Sequence, residues 1–352
     1  MLRRSRCLLA LLLGGALGCV PEAVPSTADA ALPGSDAPRA RVDAPPPVDV
    51  GAPDAGPELR TRRSLAVSGG TLLVSRDGRH AFAADPERDR VDVVALGPTG
   101  ELRLERSVEL APGSEPGRLV EDGAGRIHVA LRASGAVAAL EPGADSVTVR
   151  DVCAAPRGLA WRETDDQIVV ACADGLLVTL AASGGPPIRS LPLVDDLRDV
   201  VVAGDVLLVS RFTSAEVLAI DGSGVMVARW RPAPATRVDA LVRAPEDGSP
   251  PPTVEMEPHV AWRMVPAPGG AWLLHQLARV DAIPDLPPDE RPVGSTGPYG
   301  GGAPPGAAVP PAGCAPSMVE VVVSFVDATG PSGLLVSSGP LPVALATDLA
   351  RA

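Results

Sequence analysis

The sequence has 352 residues with 31 basic and 43 acidic side chains, which gives a formal net charge of −12. An acidic chain without a basic stripe is not expected to bind nucleic acid, because that binding depends on cationic contacts with phosphates. Every basic residue is Arg, and the chain contains neither Lys nor Asn, so sites that depend on either side chain are excluded.

The N-terminus has the pattern of a lipoprotein signal peptide. Arginines at positions 3, 4 and 6 precede an apolar run, Leu8–Leu13, that is far shorter than the roughly 20 residues a membrane-spanning helix needs. The segment Ala16-Leu17-Gly18-Cys19 then resembles a lipoprotein cleavage site. We expect export, removal of residues 1–18 and acylation of Cys19, which would anchor the chain in the cell envelope, at the outer membrane or the periplasmic face. The alternative is a plain secretory signal, because Ala16 replaces the usual Leu.

Residues 19–62 are dominated by Pro, Ala, Asp and Gly, as in Asp43-Ala44-Pro45-Pro46-Pro47. They show no hydrophobic periodicity and hardly any large apolar residues, so they cannot form a packed core. Proline also favours the extended polyproline II conformation. We predict a disordered stalk that holds a folded domain away from the lipid surface.

Residues 63–338 contain short runs of Val and Leu separated by turns of Gly, Asp and Pro, which predicts an all-β domain. Equivalent runs begin at Arg79, Arg126, Gln167 and Val206, at intervals of 47, 41 and 39 residues, and a fifth begins at Ala271. A period near 40 residues with about four strands per repeat is typical of a β-propeller. A β-sandwich also has short strands, but the regular period argues against it. We predict about five recognisable four-stranded blades.

Two segments interrupt the repeats. Residues 231–258 carry many prolines, and residues 281–317 are rich in Gly and Pro, so both are predicted to be disordered insertions, the second within the fifth blade. Residues 339–352 resemble the start of a further blade. Either Ser64–Ser68 closes the ring, or the natural protein is longer and the sequence stops within a blade.

Cys153, Cys172 and Cys314 follow the stalk, and the expected compartment permits disulfides. Cys153 and Cys172 flank a predicted hairpin. They lie opposite each other if its turn is centred on Arg162-Glu163, and they miss by several positions if it is centred on Thr164-Asp165. We predict a Cys153–Cys172 disulfide, with two separate buried thiols as the alternative. Cys314 is either free or paired between molecules.

His275 is the unusual histidine of the chain. In the other repeats its position is taken by small residues, namely Ala83, Ala130, Ala171 and Ser210. The imidazole therefore requires local repacking or has a role in a site. His259 opens the same blade and could approach His275 from the adjacent strand. The two form a weak candidate ligand site, since two histidines without a third ligand make a poor metal site, and no metal is predicted.

The sequence contains no G-x-S-x-G nucleophile motif, no C-x-x-C-H haem attachment and no Gly-rich phosphate loop between a strand and a helix. Asp and Glu are plentiful, but they occur mainly in turns, where solvation is the ordinary reason for them. We therefore predict no catalytic residue and no cofactor for this chain.

Several phrases of the sequence resemble exported propeller proteins of myxobacteria, in addition to the signal and the stalk. They are Cys153–Ala160, Asp196–Val201, Leu208–Phe212 and Ala261–Met264. The resemblance implies a propeller that is often followed by a cytochrome c domain similar to di-haem peroxidases. It implies haem only for such a C-terminal domain, whose C-x-x-C-H motifs are absent from this sequence.

Together these observations predict a membrane-anchored envelope propeller that acts as a binding or scaffold module. Its partners would be the membrane, through the lipid, and a protein or small-molecule ligand on a propeller face. The alternative is the non-catalytic propeller part of a haem oxidoreductase.

Overall fold

The computed structural model describes residues 71–144, 146–239, 247–282, 318–328 and 334–338. All of them belong to one compact unit. The predicted signal peptide, Cys19, the stalk, Cys314 and residues 339–352 lie outside the described residues. Within the described ranges no helix is long and apolar enough to span a membrane.

The described residues form five antiparallel sheets, which we call blades 1 to 5. Blade 1 contains β1 (Leu72–Val74), β2 (His80–Asp85), β3 (Arg90–Leu96) and β4 (Leu102–Glu109). Blade 2 contains β5 (Pro116–Glu121), β6 (Ile127–Leu131), β7 (Ala136–Leu140) and β8 (Val147–Asp151). Blade 3 contains β9 (Pro156–Arg162), β10 (Gln167–Cys172), β11 (Leu176–Ala181) and β12 (Pro187–Pro192), with a 3-10 turn at Glu163–Asp165.

Blade 4 contains β13 (Leu197–Ala203), β14 (Val206–Arg211), β15 (Val217–Ile220) and β16 (Met226–Trp230). Blade 5 contains β17 (Ala235–Val238), β18 (Thr253–Ala267), β19 (Gly270–Arg279), β20 (Val319–Asp327) and β21 (Leu334–Ser337). In every blade the strands pair in sequence order.

The blades stand side by side around a common axis. Strand β5 packs against β1 and β9, strand β13 packs against β9, and β18 packs against β13. The first strands of blades 1 to 4 and β18 of blade 5 are therefore innermost. This arrangement confirms the predicted all-β class and the β-propeller.

The hydrophobic core lies between neighbouring blades. Every residue of β6 and β7 is buried, so both faces of these strands are covered. Separate apolar clusters fill the spaces between blades 1 and 2, 2 and 3, 3 and 4, and 4 and 5. A sheet with two covered faces needs apolar residues at consecutive positions, which explains the continuous Val and Leu runs in the sequence.

The prediction of a disordered insertion at 231–258 is wrong where β17 and the start of β18 lie. Thr253–Met256 pairs with β17, and Val254 and Met256 are buried while Glu255 is exposed. This alternation is the period of a half-buried strand, and the neighbouring prolines concealed it in the sequence. Blade 5 consequently has five strands instead of four. Most of the second predicted insertion, 283–317, lies outside the described residues.

Candidate functional site: an arginine cluster on the propeller axis

Innermost strands bring arginines from four consecutive blades to one end of the axis. Arg118 lies near the start of β5, Arg157 of β9 and Arg198 of β13, while Arg263 lies on the part of β18 that packs against β13. Arg132, in the turn after β6, joins them. We call these five residues the arginine cluster. Arg118, Arg132 and Arg198 are only 6%, 9% and 9% exposed, which is unusual for guanidinium groups.

Asp199 is the buried carboxylate at the centre of the cluster, with 1% exposure. Its Oδ2 accepts hydrogen bonds from Arg118 Nη2 and the Met264 amide, both at 2.8 Å, and lies 3.5 Å from Arg263 Nη1. Its Oδ1 accepts the Val200 amide at 3.1 Å. Burial raises the pKa of Asp199, and Arg118 and the Met264 amide act in the opposite direction. Asp199 thus links blades 2, 4 and 5.

Close approach of β9 and β13 depends on Gly158. A Cβ atom at Gly158 would lie 2.6 Å from Asp199 Cα and 3.0 Å from Asp199 Oδ1. Since real Cβ atoms do not approach backbone that closely, any larger residue would displace Asp199 from the arginines around it. The glycine is therefore a structural requirement of the cluster.

Positive charge exceeds negative charge in the cluster. Among the described residues, the carboxylates that contact the cluster are Asp199, which pairs with Arg118 and Arg263, and Glu115, which pairs with Arg132. Arg157 and Arg198 add two further positive charges beside them. Burial first and the neighbouring Arg118 next lower the pKa of Arg198 to about 10; Arg157 and Arg132 act in the same direction, and Asp199 acts against them. In a chain of net charge −12, this is a local concentration of the opposite sign.

Several buried donors of the cluster have no hydrogen-bond partner among the described residues. They are Arg118 Nε and Nη1, Arg132 Nε and Nη2, Arg198 Nε, and Trp262 Nε1. Buried polar groups in folded proteins are nearly always paired. All six atoms carry N–H hydrogens, so they can be satisfied only by an acceptor. The arrangement is suited to a group rich in acceptor oxygens.

Aromatic rings hold Arg198 in place. Its guanidinium carbon lies 4.9 Å from the centre of the Phe212 ring and 5.9 Å from that of Trp262. The two rings meet edge to face at 5.3 Å. Cation–π contacts of this kind orient a guanidinium without using its hydrogen-bond donors.

Trp161 closes the opposite end of the innermost strands in blades 1 to 3. The Arg76 guanidinium stacks 4.2 Å from the Trp161 ring, and Arg76 Nη2 donates to the Glu121 carbonyl at 2.8 Å. Trp161 Nε1 donates to Asp166 at 2.9 Å. These contacts join blades 1 to 3 at the end of the innermost strands opposite the arginine cluster.

The predicted Cys153–Cys172 disulfide is present, with a Cα–Cα distance of 6.4 Å. The turn of its hairpin spans 163–166, because Arg162 pairs with Gln167. In this register we had expected the two cysteines not to lie opposite each other. They meet because Cys153 precedes β9 and Cys172 lies opposite Pro156 after a register shift. Asp174 is the nearest carboxylate, but the disulfide occupies both sulfur atoms.

The two histidines of the weak candidate site do not share an environment. His275 is fully buried; its Nδ1 donates to the Gln276 carbonyl at 3.2 Å, and its Nε2 accepts the Ser324 hydroxyl at 2.8 Å. Burial lowers the pKa of His275 to about 4. His259 is exposed. A neutral, fully bonded imidazole is a core residue, so the structure favours local repacking around His275.

Sequence reasoning did not find the arginine cluster. The sequence did contain a signal for it: the innermost strand of each of blades 2 to 5 carries an arginine, and these arginines align to within two positions when the repeats are compared. Arginine is ordinarily a surface residue, and only the packing of the strands shows that these side chains converge.

No protein-family model matches the sequence, and no curated protein sequence is significantly similar to it. Similar solved structures include virginiamycin B lyase from Staphylococcus aureus, with 12% identity and a TM-score of 0.41 over 61% of this chain and 82% of that one. The periplasmic gluconolactonase of Pseudomonas aeruginosa has 22% identity and a TM-score of 0.40 over 46% and 52%. A nidogen–laminin complex has 17% identity and a TM-score of 0.40 over 46% and 62%. Similarities this distant say nothing about what this chain binds.

Proposed function

We propose that the protein is an exported, lipid-anchored β-propeller that binds a ligand at the arginine cluster. The observation that carries this proposal is a set of six buried N–H donors that find no partner among the described residues. They lie on the innermost strands and in the turn after β6. A scaffold without a ligand gains nothing from such donors, because each unpaired buried group costs stability.

The rigidity of the site supports binding over a purely structural role. Asp199 and the Phe212 ring hold Arg118 and Arg198, and Gly117 lies against Arg132, since a Cβ there would be 3.1 Å from Arg132 Cδ. Side chains that are already ordered lose little entropy when a ligand arrives. The cluster is thus organised for recognition before any ligand is present.

A thermal-shift screen with anionic, neutral and cationic small molecules tests the binding function. We expect compounds that raise the melting temperature of the wild-type protein and lose this effect in Arg132→Met. Arg103→Met is the matched control, because Arg103 lies on the exposed edge strand β4. A screen in which no compound acts, or in which every hit acts equally on Arg132→Met, would contradict the proposal.

Acylation of Cys19 is the second part of the proposal. It is supported by the signal-like N-terminus and the stalk. Cells labelled with radioactive palmitate are expected to incorporate label into the wild-type protein and not into Cys19→Ala. Equal labelling of the two proteins would refute the anchor.

The resemblance to myxobacterial exported propellers favours a second candidate, a propeller that serves as the non-catalytic part of a haem oxidoreductase. A pyridine haemochrome assay on the protein purified from its native cells tests it. A haem signal that co-purifies with the chain is expected in that case, and a preparation without a Soret band would contradict it.

A further inference from the structure

We infer that the ligand of the arginine cluster is an oxyanion, a carboxylate or phosphate group, and that Arg132 is its bidentate anchor. This inference rests on the proposed binding function and names the chemical class of its ligand. It requires no contribution from the disulfide or from His275.

One edge of the Arg132 guanidinium is available to a ligand. Nε and Nη2 project their hydrogens from the same edge of a guanidinium. In Arg132 both atoms are buried, and neither has a hydrogen-bond partner in the part of the chain that the structure describes. Two parallel N–H groups match the two oxygens of a carboxylate or a phosphate. Glu115 Oε2 lies 3.6 Å from Nη2, within ion-pair range but beyond hydrogen-bond length. Glu115 is partly exposed, so it can leave when a stronger acceptor arrives.

Neighbouring residues of the cluster carry further donors that are unpaired within the described ranges. Arg118 uses Nη2 to hold Asp199, which leaves its Nε and Nη1 for another acceptor. Arg198 Nε and Trp262 Nε1 add two further donors, and the guanidinium of Arg198 is close to both rings that fix it. A neutral ligand with acceptor oxygens would pair with donors but leave the excess positive charge without compensation, and a cation would be repelled by that charge.

The charge balance favours a multivalent anion over a small monovalent one. Even without Arg263, the arginine cluster carries about two more charges than Asp199 and Glu115 supply in opposition. Chloride can neutralise charge, but it offers a single acceptor centre, whereas a carboxylate or phosphate offers two oxygens that match the two parallel donors. A phosphate group or a dicarboxylate both neutralises the charge and matches these donors, so we expect either to compete effectively with chloride.

Isothermal titration of the detergent-solubilised full-length protein tests the inference with inorganic phosphate, succinate, choline and a neutral sugar as probes. We expect phosphate or succinate to bind, and Arg132→Met to weaken that binding about tenfold or more, as loss of a charge-assisted bidentate contact implies. Arg132→Lys keeps the positive charge but lacks the two parallel N–H donors of a guanidinium, so it should retain only part of the wild-type affinity. The relative affinities of phosphate and succinate show which oxyanion the site prefers.

The same titration separates this inference from the proposed function. If a neutral sugar or choline binds and Arg132→Met abolishes its binding, the arginine cluster is a binding site but its ligand is not an oxyanion. If phosphate and succinate bind no better than chloride in the wild-type protein, or bind equally to Arg132→Met, the inference is overturned. Arg103→Met should titrate as the wild-type protein does, and circular dichroism of each variant verifies that the sheets remain folded.

Discussion

At the scale of single residues, Asp199 holds the arginine cluster together. It accepts hydrogen bonds from blades 2, 4 and 5 while buried almost completely. A buried ion pair is not in itself strong evidence for stability, because desolvation offsets much of its attraction. Removing one partner is different, since the remaining charges then lack compensation.

Asp199→Asn should therefore destabilise the protein by about 3 kcal/mol, because Arg118 and Arg198 would remain buried without their carboxylate. Urea unfolding followed by circular dichroism measures the change. Glu87→Gln is the control, because Glu87 lies in an exposed turn and should change stability very little. A loss for Asp199→Asn as small as that of the control would show that Asp199 does not organise the cluster.

His275 provides a pH-dependent test of the core of blade 5. Its pKa in the folded protein is about 4, and that of an unfolded chain is about 6.5. Below pH 6.5 the unfolded state takes up a proton that the folded state does not, so stability falls as the pH drops from about 6.5 towards 4. By this linkage His275 should remove about 2 kcal/mol between pH 7.5 and pH 5.

The measurement compares unfolding free energies at pH 7.5 and pH 5 for wild-type protein, His275→Gln and His259→Gln. We expect His275→Gln to lose that part of the pH dependence, and His259→Gln, which changes an exposed side chain, is the control. Burial also lowers the pKa of His128, so some dependence should persist in every variant. If His275→Gln kept the full pH dependence of the wild-type unfolding free energy, the assignment of His275 as a buried, neutral imidazole would be wrong.

At the scale of secondary-structure elements, the contact between β9 and β13 decides the geometry of the site. Gly158→Ala should cost about 1–3 kcal/mol, because its Cβ would overlap the Asp199 backbone and force the two strands apart. Gly222→Ala is a matched control, since a Cβ at Gly222 meets no atom within 4 Å. Equal stability of the two variants in urea unfolding would mean that the strands do not approach as closely as described.

The disulfide stabilises the start of β9 by joining it to the end of β10. Replacing both Cys153 and Cys172 by Ala should lower the free energy of unfolding by about 3 kcal/mol, the usual value for a closed loop of this length. Dithiothreitol should lower the stability of the wild-type protein to a similar extent and leave the double variant unchanged. Identical unfolding of the oxidised and reduced wild-type protein would contradict this contribution.

At the scale of the whole molecule, the fold could be predicted because the sequence patterns that indicate it lie within single repeats. Repeated apolar runs at a near-constant interval indicate blades, and a blade buries both faces only between other blades. The β17–β18 hairpin was missed because prolines around 250–252 resemble those of a loop, although Val254 and Met256 alternate with exposed neighbours. The disulfide was predicted correctly, but it depends on a bend before β9 and a register shift that no turn position reveals.

The site could not be predicted in the same way, because it forms between repeats. Arg118, Arg157, Arg198 and Arg263 are far apart in the chain and each is unremarkable within its own strand. They meet because the innermost strands surround one axis. An arginine that recurs once per repeat in blades 2 to 5 becomes, in three dimensions, a cluster of like charges.

A crystal structure of the protein grown with phosphate shows whether the arginine cluster binds an oxyanion. We expect an anion within hydrogen-bond distance of Arg132 Nε and Nη2, with Arg118 or Arg198 as a further donor, at the axial end opposite Trp161. A structure in which Glu115 or another protein group accepts hydrogen bonds from these donors, with phosphate bound elsewhere or not at all, would contradict the proposed oxyanion site.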